Sequence, residues 1–190
     1  AKRAPFTPVA QIAGSEDAEL LAWTGQSSAP AAALDAEPPV SRMSDILLLA
    51  ERHTPMPSLL PSDARGRAWS FGLCHEISGR DGLGWSRRLM MLDANLARQQ
   101  PGPARDQSLH FARKYGHTPD AAARAPARLI QILELLAREL QAQRRRGSRY
   151  LVGDSLSAAD LMWAAFAVLF APLPHEVCPM SAGLRRMYTV

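Results

Sequence analysis

The stretch Tyr150-Leu151-Val152-Gly153-Asp154-Ser155-Leu156-Ser157-Ala158-Ala159-Asp160-Leu161 reads as a helix start. The Ser157 hydroxyl is placed to accept a hydrogen bond from the Asp160 backbone N–H. The Asp160 carboxylate is placed to accept in return from the Ser157 N–H, a capping box with Asp where Glu is usual. Leu156 before the cap and Leu161 in the first turns are placed as the accompanying hydrophobic staple. The residues that follow, Leu161 to Ala171, are apolar on every side, which predicts a helix enclosed by protein. The longest apolar run, Leu161 to Leu173 with Pro172 inside it, is too short to cross a bilayer. The segment is therefore a device for seating a buried helix in a core and carries no chemistry of its own.

The chain has 190 residues, 47% of them hydrophobic, which suits one compact domain or two small ones. Cys74 and Cys178 are too few for a disulfide scaffold and lie in no C-x-x-C or His/Cys cluster, so a reducing compartment is expected. No signal peptide opens the sequence, and the expectation is a cytoplasmic protein without a membrane partner. The first residue is Ala1 rather than methionine, which is read as a native N-terminus lying upstream. The net charge of +4 is modest and almost wholly arginine, Lys2 and Lys114 being the lysines. Its densest run, Arg144-Arg145-Arg146 with Arg149, falls at a helix end, where cations complement the dipole. Nucleic-acid binding would need a basic stripe interleaved with aromatics, and it is not expected. His110, His117 and His175 have no carboxylate or cysteine at ligand spacing, so no metal is expected. There is no phosphate-cradling glycine loop.

The first fifty residues mix short signals. Phe6 to Ala13 reads as a strand, with Pro8 suggesting an edge position. Ser15 is a plausible N-cap for a helix through Trp23, stopped at Gly25. Pro30 to Leu34 reads as a second strand, Asp35 to Glu37 as a turn, and Pro38 to Val40 as a short return strand. Met43 to Arg52 has Met43, Ile46, Leu47, Leu49 and Ala50 at helical spacing. His53 to Ser62 carries Pro55, Pro57 and Pro61 and is incompatible with a helix interior. Ser62 is a natural N-cap for the next helix. From there the pattern is helical: Asp63 to Ile77, Trp85 to Arg98, Asp106 to Tyr115, Pro119 to Arg146, the capped helix from Ser157, and a last one from Ser181. The long helix places Leu129, Ile130, Leu133, Leu136, Ala137 and Leu140 on one face.

Leu151-x-Gly153-Asp154-x-Leu156-Ser157-x-Ala159-Asp160-Leu161 resembles the capping motif that opens the buried central helix in the C-terminal domain of cytosolic glutathione transferases. The strand, helix, strand, hairpin, helix order before His53 resembles part of that family's thioredoxin-like domain, and the Leu59-Leu60-Pro61 step resembles its interdomain linker. The resemblance implies an α+β fold, mostly α: a partial thioredoxin-like α/β domain over residues 1–53, a linker over 54–62, and an all-α C-terminal-type domain over 63–190. It also implies glutathione as co-substrate, a small electrophilic or apolar second substrate, and a homodimer. In the family a cis proline precedes the third strand and exposes the backbone of the residue before it to the peptide ligand. Ala29-Pro30 resembles that step. The polar residue that binds the γ-glutamyl end stands near the start of the last helix of that domain. There the family usually has Glu-Ser and this chain has Arg42-Met43, with Ser41 and Ser44 on either side to take the part. Gly153, Ser157 and Asp160 are the structural capping residues.

Nothing in residues 1–29 supplies the family's first strand and helix, or the Tyr, Ser or Cys that activates the thiol there, so the catalytic residue is unassigned. Cys74-His75-Glu76 would offer an activated thiol if Cys and His met. Adjacent helix positions point about a hundred degrees apart, however, so the pair is not expected to face each other. His75, Trp85 and Arg88 are the candidates for the wall of the second-substrate pocket; the alternative is a packed Trp with surface Arg and His. Two functions remain open: a glutathione-dependent transferase or close relative, and a non-catalytic module using the same fold for binding or dimerisation.

Overall fold

The structure is a computed structural model, and it describes residues 2–10, 17–27 and 29–189. The chain is mostly helical: α1 Ala18–Thr24, α2 Met43–His53, α3 Ala64–Ser78, α4 Leu83–Arg98, α5 Pro103–Lys114, α6 Pro119–Arg145, α7 Ala158–Ala167 and α8 Ala182–Tyr188. Among these helices, none is long and apolar enough to cross a membrane.

The core forms where α6 packs along α4 and α7 along α3. It joins Leu73 and Ile77 of α3, Leu83 of α4, Leu129, Ile132 and Leu136 of α6, and Ala158 and Ala159 of α7. Leu151 and Val152 close it from the α6–α7 connection. The proline-rich segment contributes as well. Leu59 and Leu60 are each 6% exposed, and the Ala158 N–H donates to the Leu59 carbonyl at 2.8 Å. The segment after α2 is thus anchored in the helical core by two leucines and by the first turn of α7.

The α6–α7 connection shows why the capping segment needs its glycines. The Gly147 N–H donates to Arg144 O and the Ser148 N–H to Gln143 O, a Schellman closure with Gly147 at φ 86°. Gly153 turns the chain at φ 67°, a backbone region costly for other L-residues. Its carbonyl accepts from buried Gln143 (Nε2, 3.0 Å) and from buried Ser148 (Oγ, 2.7 Å). Ser157 then caps α7, with the reciprocal Ser157–Asp160 box formed.

Several expectations need correction. The face of α6 that enters the core runs Ala122, Ala125, Leu129, Ile132, Leu136 and Gln143; Ile130 is 54% exposed and Ala137 is exposed. Leu129 and Leu136 of the expected face are in the core and Leu133 and Leu140 pack against it, so the correction is confined to Ile130 and Ala137, which turn outward, and to Ile132, which turns in. The α7 helix begins at Ala158, ends at Ala167, and is not enclosed on all sides, since Ala164 and Ala165 are exposed. From Leu161 onward α7 has no charged residue to show which side is left open, and it is α3 that packs along it. Asp63, not Ser62, caps α3, accepting from Gly66 N at 2.8 Å. Leu156, expected as one half of a staple, is 37% exposed.

The amino-terminal part is the least regular. Residues 6–10 are not in a strand, and the rest of that expected strand, residues 11–13, lies outside the described residues, as does Ser15. Asp17 caps α1 through Leu20 N at 2.9 Å, and Gly25 ends it as expected. The expected hairpin is reduced to a single antiparallel bridge between Ala32 and Val40. Among the described residues, therefore, a thioredoxin-like sheet is not seen. The Ala29–Pro30 peptide is cis, as is Met56–Pro57.

One polar cluster ties the amino-terminal segment to the region after α2. The Lys2 ammonium, with its side chain 6% exposed, meets Glu51 Oε1 at 2.9 Å and donates to the carbonyls of Thr54 (2.6 Å) and Pro57 (2.8 Å). Glu51 also accepts from Leu59 N and Ser58 Oγ, both at 2.9 Å. Burial pushes the Glu51 carboxyl up, but the hydrogen bonds from Lys2, Leu59 N–H and Ser58, with the Lys2 charge, outweigh it and leave it below the ordinary value. A carboxyl lowered in the folded state adds stability above its unfolded pKa and loses it as pH falls through the folded value. Wild type should therefore show a higher urea midpoint than Glu51→Gln at neutral pH, and the two should converge as acid protonates the Glu51 carboxyl.

Candidate functional site

A large cleft, about 1440 Å³ in volume, lies where α1 faces α4, α5 and α8. Two helix faces build most of its wall. On α4, Arg88, Met91, Leu92 and Asn95 follow i, i+3, i+4, i+7 spacing; on α5, Gln107, His110, Phe111 and Lys114 do the same. Each face mixes apolar and polar residues. Leu21 of α1, Leu169, and Leu184 and Met187 of α8 complete an apolar lining. Ser27 lines it close in sequence to the Ala29–Pro30 turn.

The α4 side is held in place by Arg87 and Arg88, which point to different neighbours. Arg87 Nε donates to Leu169 O at 3.1 Å and its Nη2 to Met187 O at 3.0 Å, joining α4 to the end of α7 and to α8. Burial lowers its pKa from the usual arginine range. Arg88 lies over the Tyr115 ring with its guanidinium carbon 4.6 Å from the centroid. Tyr115 is in turn packed by Phe111 at 5.0 Å and Trp85 at 5.6 Å between ring centroids. Arg88 is thus set by an aromatic stack rather than by a carboxylate.

The residues singled out in the sequence fall in different places. Arg88 lines the cleft. Trp85 stands one layer behind it against Tyr115 and Arg80, and His75 is exposed near the end of α3, with its ring against Gly79; neither is among the lining residues. The packed Trp and surface His are the outcome for those two. Ala29, Pro30, Ser41 and Ser44 are not among the lining residues either. Ala29 and Pro30 are exposed, Ser41 is half-buried, and Ser44 Oγ donates to Asp45 Oδ1 at 3.2 Å.

Cys74-His75-Glu76 separates as helical geometry requires. Cys74 is fully buried, and burial, then the neighbouring Asp160 charge, pushes its thiol up to about 12. Glu76 accepts from Arg128 Nη2 at 2.7 Å, binding α3 to α6. A thiol so raised is protonated at neutral pH and unreactive. Among the described residues, no group of three His, Cys, Asp or Glu side chains stands close enough to hold a metal ion.

Residues 119–186, spanning α6, α7 and most of α8, match the family model described as glutathione S-transferase, C-terminal domain. This part of the chain is glutathione S-transferase-like. The match takes in the Ser157–Asp160 capping box and the α6 stripe, and it speaks for the helical part alone. Searches of curated proteins and of solved structures return no match. Sequence reasoning missed the α5 wall of the cleft. The signal was present in the spacing of Gln107, His110, Phe111 and Lys114, but a mixed polar and apolar face also describes an ordinary solvated helix.

Proposed function

We propose that this glutathione-transferase-like chain binds glutathione beside the Ala29–Pro30 turn, with Ser41 and Ser44 as hydrogen-bonding partners, and receives an apolar electrophile in the cleft between α1, α4, α5 and α8. The observation that carries the reading is this cleft next to a matched glutathione-transferase helical domain. Its 1440 Å³ exceeds the roughly 300–1,000 Å³ usual for one small ligand, so the apolar electrophile has ample room. The same reading divides the chain into an amino-terminal part over 1–53, a linker over 54–62 and the helical domain over 63–190, and makes it a homodimer.

Glutathione titrated calorimetrically into the protein should give a saturable heat, and the Ser41→Ala/Ser44→Ala double variant should weaken it about tenfold, the equivalent of one good polar contact. Absence of any glutathione heat would sink the proposal. One observation favours a second reading, a non-catalytic binding or dimerisation module: Cys74, the helical domain's buried thiol, is held protonated. That reading requires a stable dimer by light scattering and no conjugation of 1-chloro-2,4-dinitrobenzene. Turnover of that compound by this chain excludes it.

A further inference from the structure

We infer that the second-substrate cleft selects apolar molecules that carry a carboxylate or similar anionic group, with Arg88, Arg113 and Lys114 as the residues that set this preference. The inference deepens the transferase reading and rests on its assignment of this cleft to the second substrate.

The charge on the cleft wall is one-sided. Arg88 comes from α4, and His110, Arg113 and Lys114 from α5, while Asp17 is the acidic residue among the lining side chains. Asp17 is already engaged as the α1 N-cap, its Oδ1 accepting from Leu20 N at 2.9 Å. Other arginines of this protein are neutralised within the fold: Arg128 by Glu76 at 2.7 Å, Arg52 by Glu37 and Arg138 by Glu134 at 3.6 Å. Among the described residues, Arg88, Arg113 and Lys114 have no carboxylate partner.

The setting makes those charges effective. Leu21, Leu92, Phe111, Leu169, Leu184 and Met187 line the same cleft, so the apolar body of a ligand can pack there while its anionic group meets the cations. Arg88 is half-buried and its plane is fixed over Tyr115, so little rotamer freedom is left to lose when an anion docks. A neutral apolar molecule would gain the walls and leave the cations unanswered; an acid of the same shape gains both.

The test uses an isosteric pair, 1-naphthaleneacetate and 1-naphthaleneacetamide, titrated calorimetrically at low salt into the full chain. The acid should bind about tenfold or more tightly than the amide, a preference that shrinks at high salt. Arg88→Gln should bring the affinities for acid and amide within about twofold of each other. Because Arg88 also packs on Tyr115, the exposed pair Arg113→Gln/Lys114→Gln serves as a second variant that disturbs no ring stack, and it should reduce the preference as well. Equal affinity for acid and amide, no binding of the acid, or an undiminished preference in both variants overturns the inference. Acid preference with no glutathione heat keeps it and sinks the transferase reading. Glutathione binding with acid and amide equal does the reverse.

Discussion

Ile132→Ala should lower the unfolding free energy by about 3 kcal/mol, whereas Ile130→Ala, two positions earlier, should change it by less than about 0.5 kcal/mol. The two isoleucines are chemically identical and sit in the middle of the same helix. Ile132 is 1% exposed and belongs to the cluster of Leu73, Ile77, Leu83 and Leu129; Ile130 is 54% exposed. Deleting Ile132 leaves a cavity among side chains from α3, α4 and α6 that cannot all move in to fill it. Deleting Ile130 returns a partly wet side chain to water, and alanine's better helix propensity offsets some of the loss. Urea unfolding of both variants by circular dichroism checks the pair. Equal destabilisation would mean that the stripe facing α4 is wrongly placed.

Asp160→Ala should cost about 3 kcal/mol, clearly more than Ser157→Ala at about 1 kcal/mol. The Asp160 carboxylate accepts from Leu151 N at 2.8 Å, Ser157 N at 2.9 Å and Ser157 Oγ at 2.6 Å. Leu151 is 1% exposed and Ser157 3%, so truncating Asp160 strands two backbone N–H groups where water does not reach. Truncating Ser157 removes its own 2.6 Å bond to the carboxylate and the longer contact from Asp160 N at 3.4 Å, but leaves both backbone N–H bonds to Asp160 in place. Thermal unfolding of both single variants and the double should show strong non-additivity, because one network serves both residues. Additive losses, or a larger loss at Ser157, would contradict this account.

The capping box was legible because all its information is local. Ser157 and Asp160 are three residues apart, and the geometry of one helical turn brings their groups together whatever else surrounds them. The helix end marked by Gly25 was readable on the same ground, since a positive φ is a property of a few consecutive residues. The anchoring role of Asp160 was only half visible. Its bond to Ser157 N is local, but its bond to Leu151 N spans the whole Gly153 turn. On α6, Leu129, Leu133, Leu136 and Leu140 were placed on the right side, but Ile130 and Ala137 were included and Ile132 was not, because all three are apolar. With apolar residues on more than one side, periodicity leaves several faces equally good, and only the position of α4 chooses.

The cleft was the least legible feature. It is made by α1, α4, α5 and α8, whose residues are far apart in the chain, and by the selection of Arg88 from a run where Arg87 is its neighbour. Arg87 turns to the carbonyls of Leu169 and Met187, while Arg88 turns to Tyr115 and the cleft. One residue of rotation on α4 separates an arginine that ties helices together from one that lines the cleft. Local sequence could specify where helices begin and end and that α7 would enter a core, because hydrogen bonding within a turn and the water-avoidance of an apolar run act on neighbouring residues. Which face of each helix is covered, and which charges are left to meet a ligand, follow from long-range packing, whose partners no short stretch of chain contains.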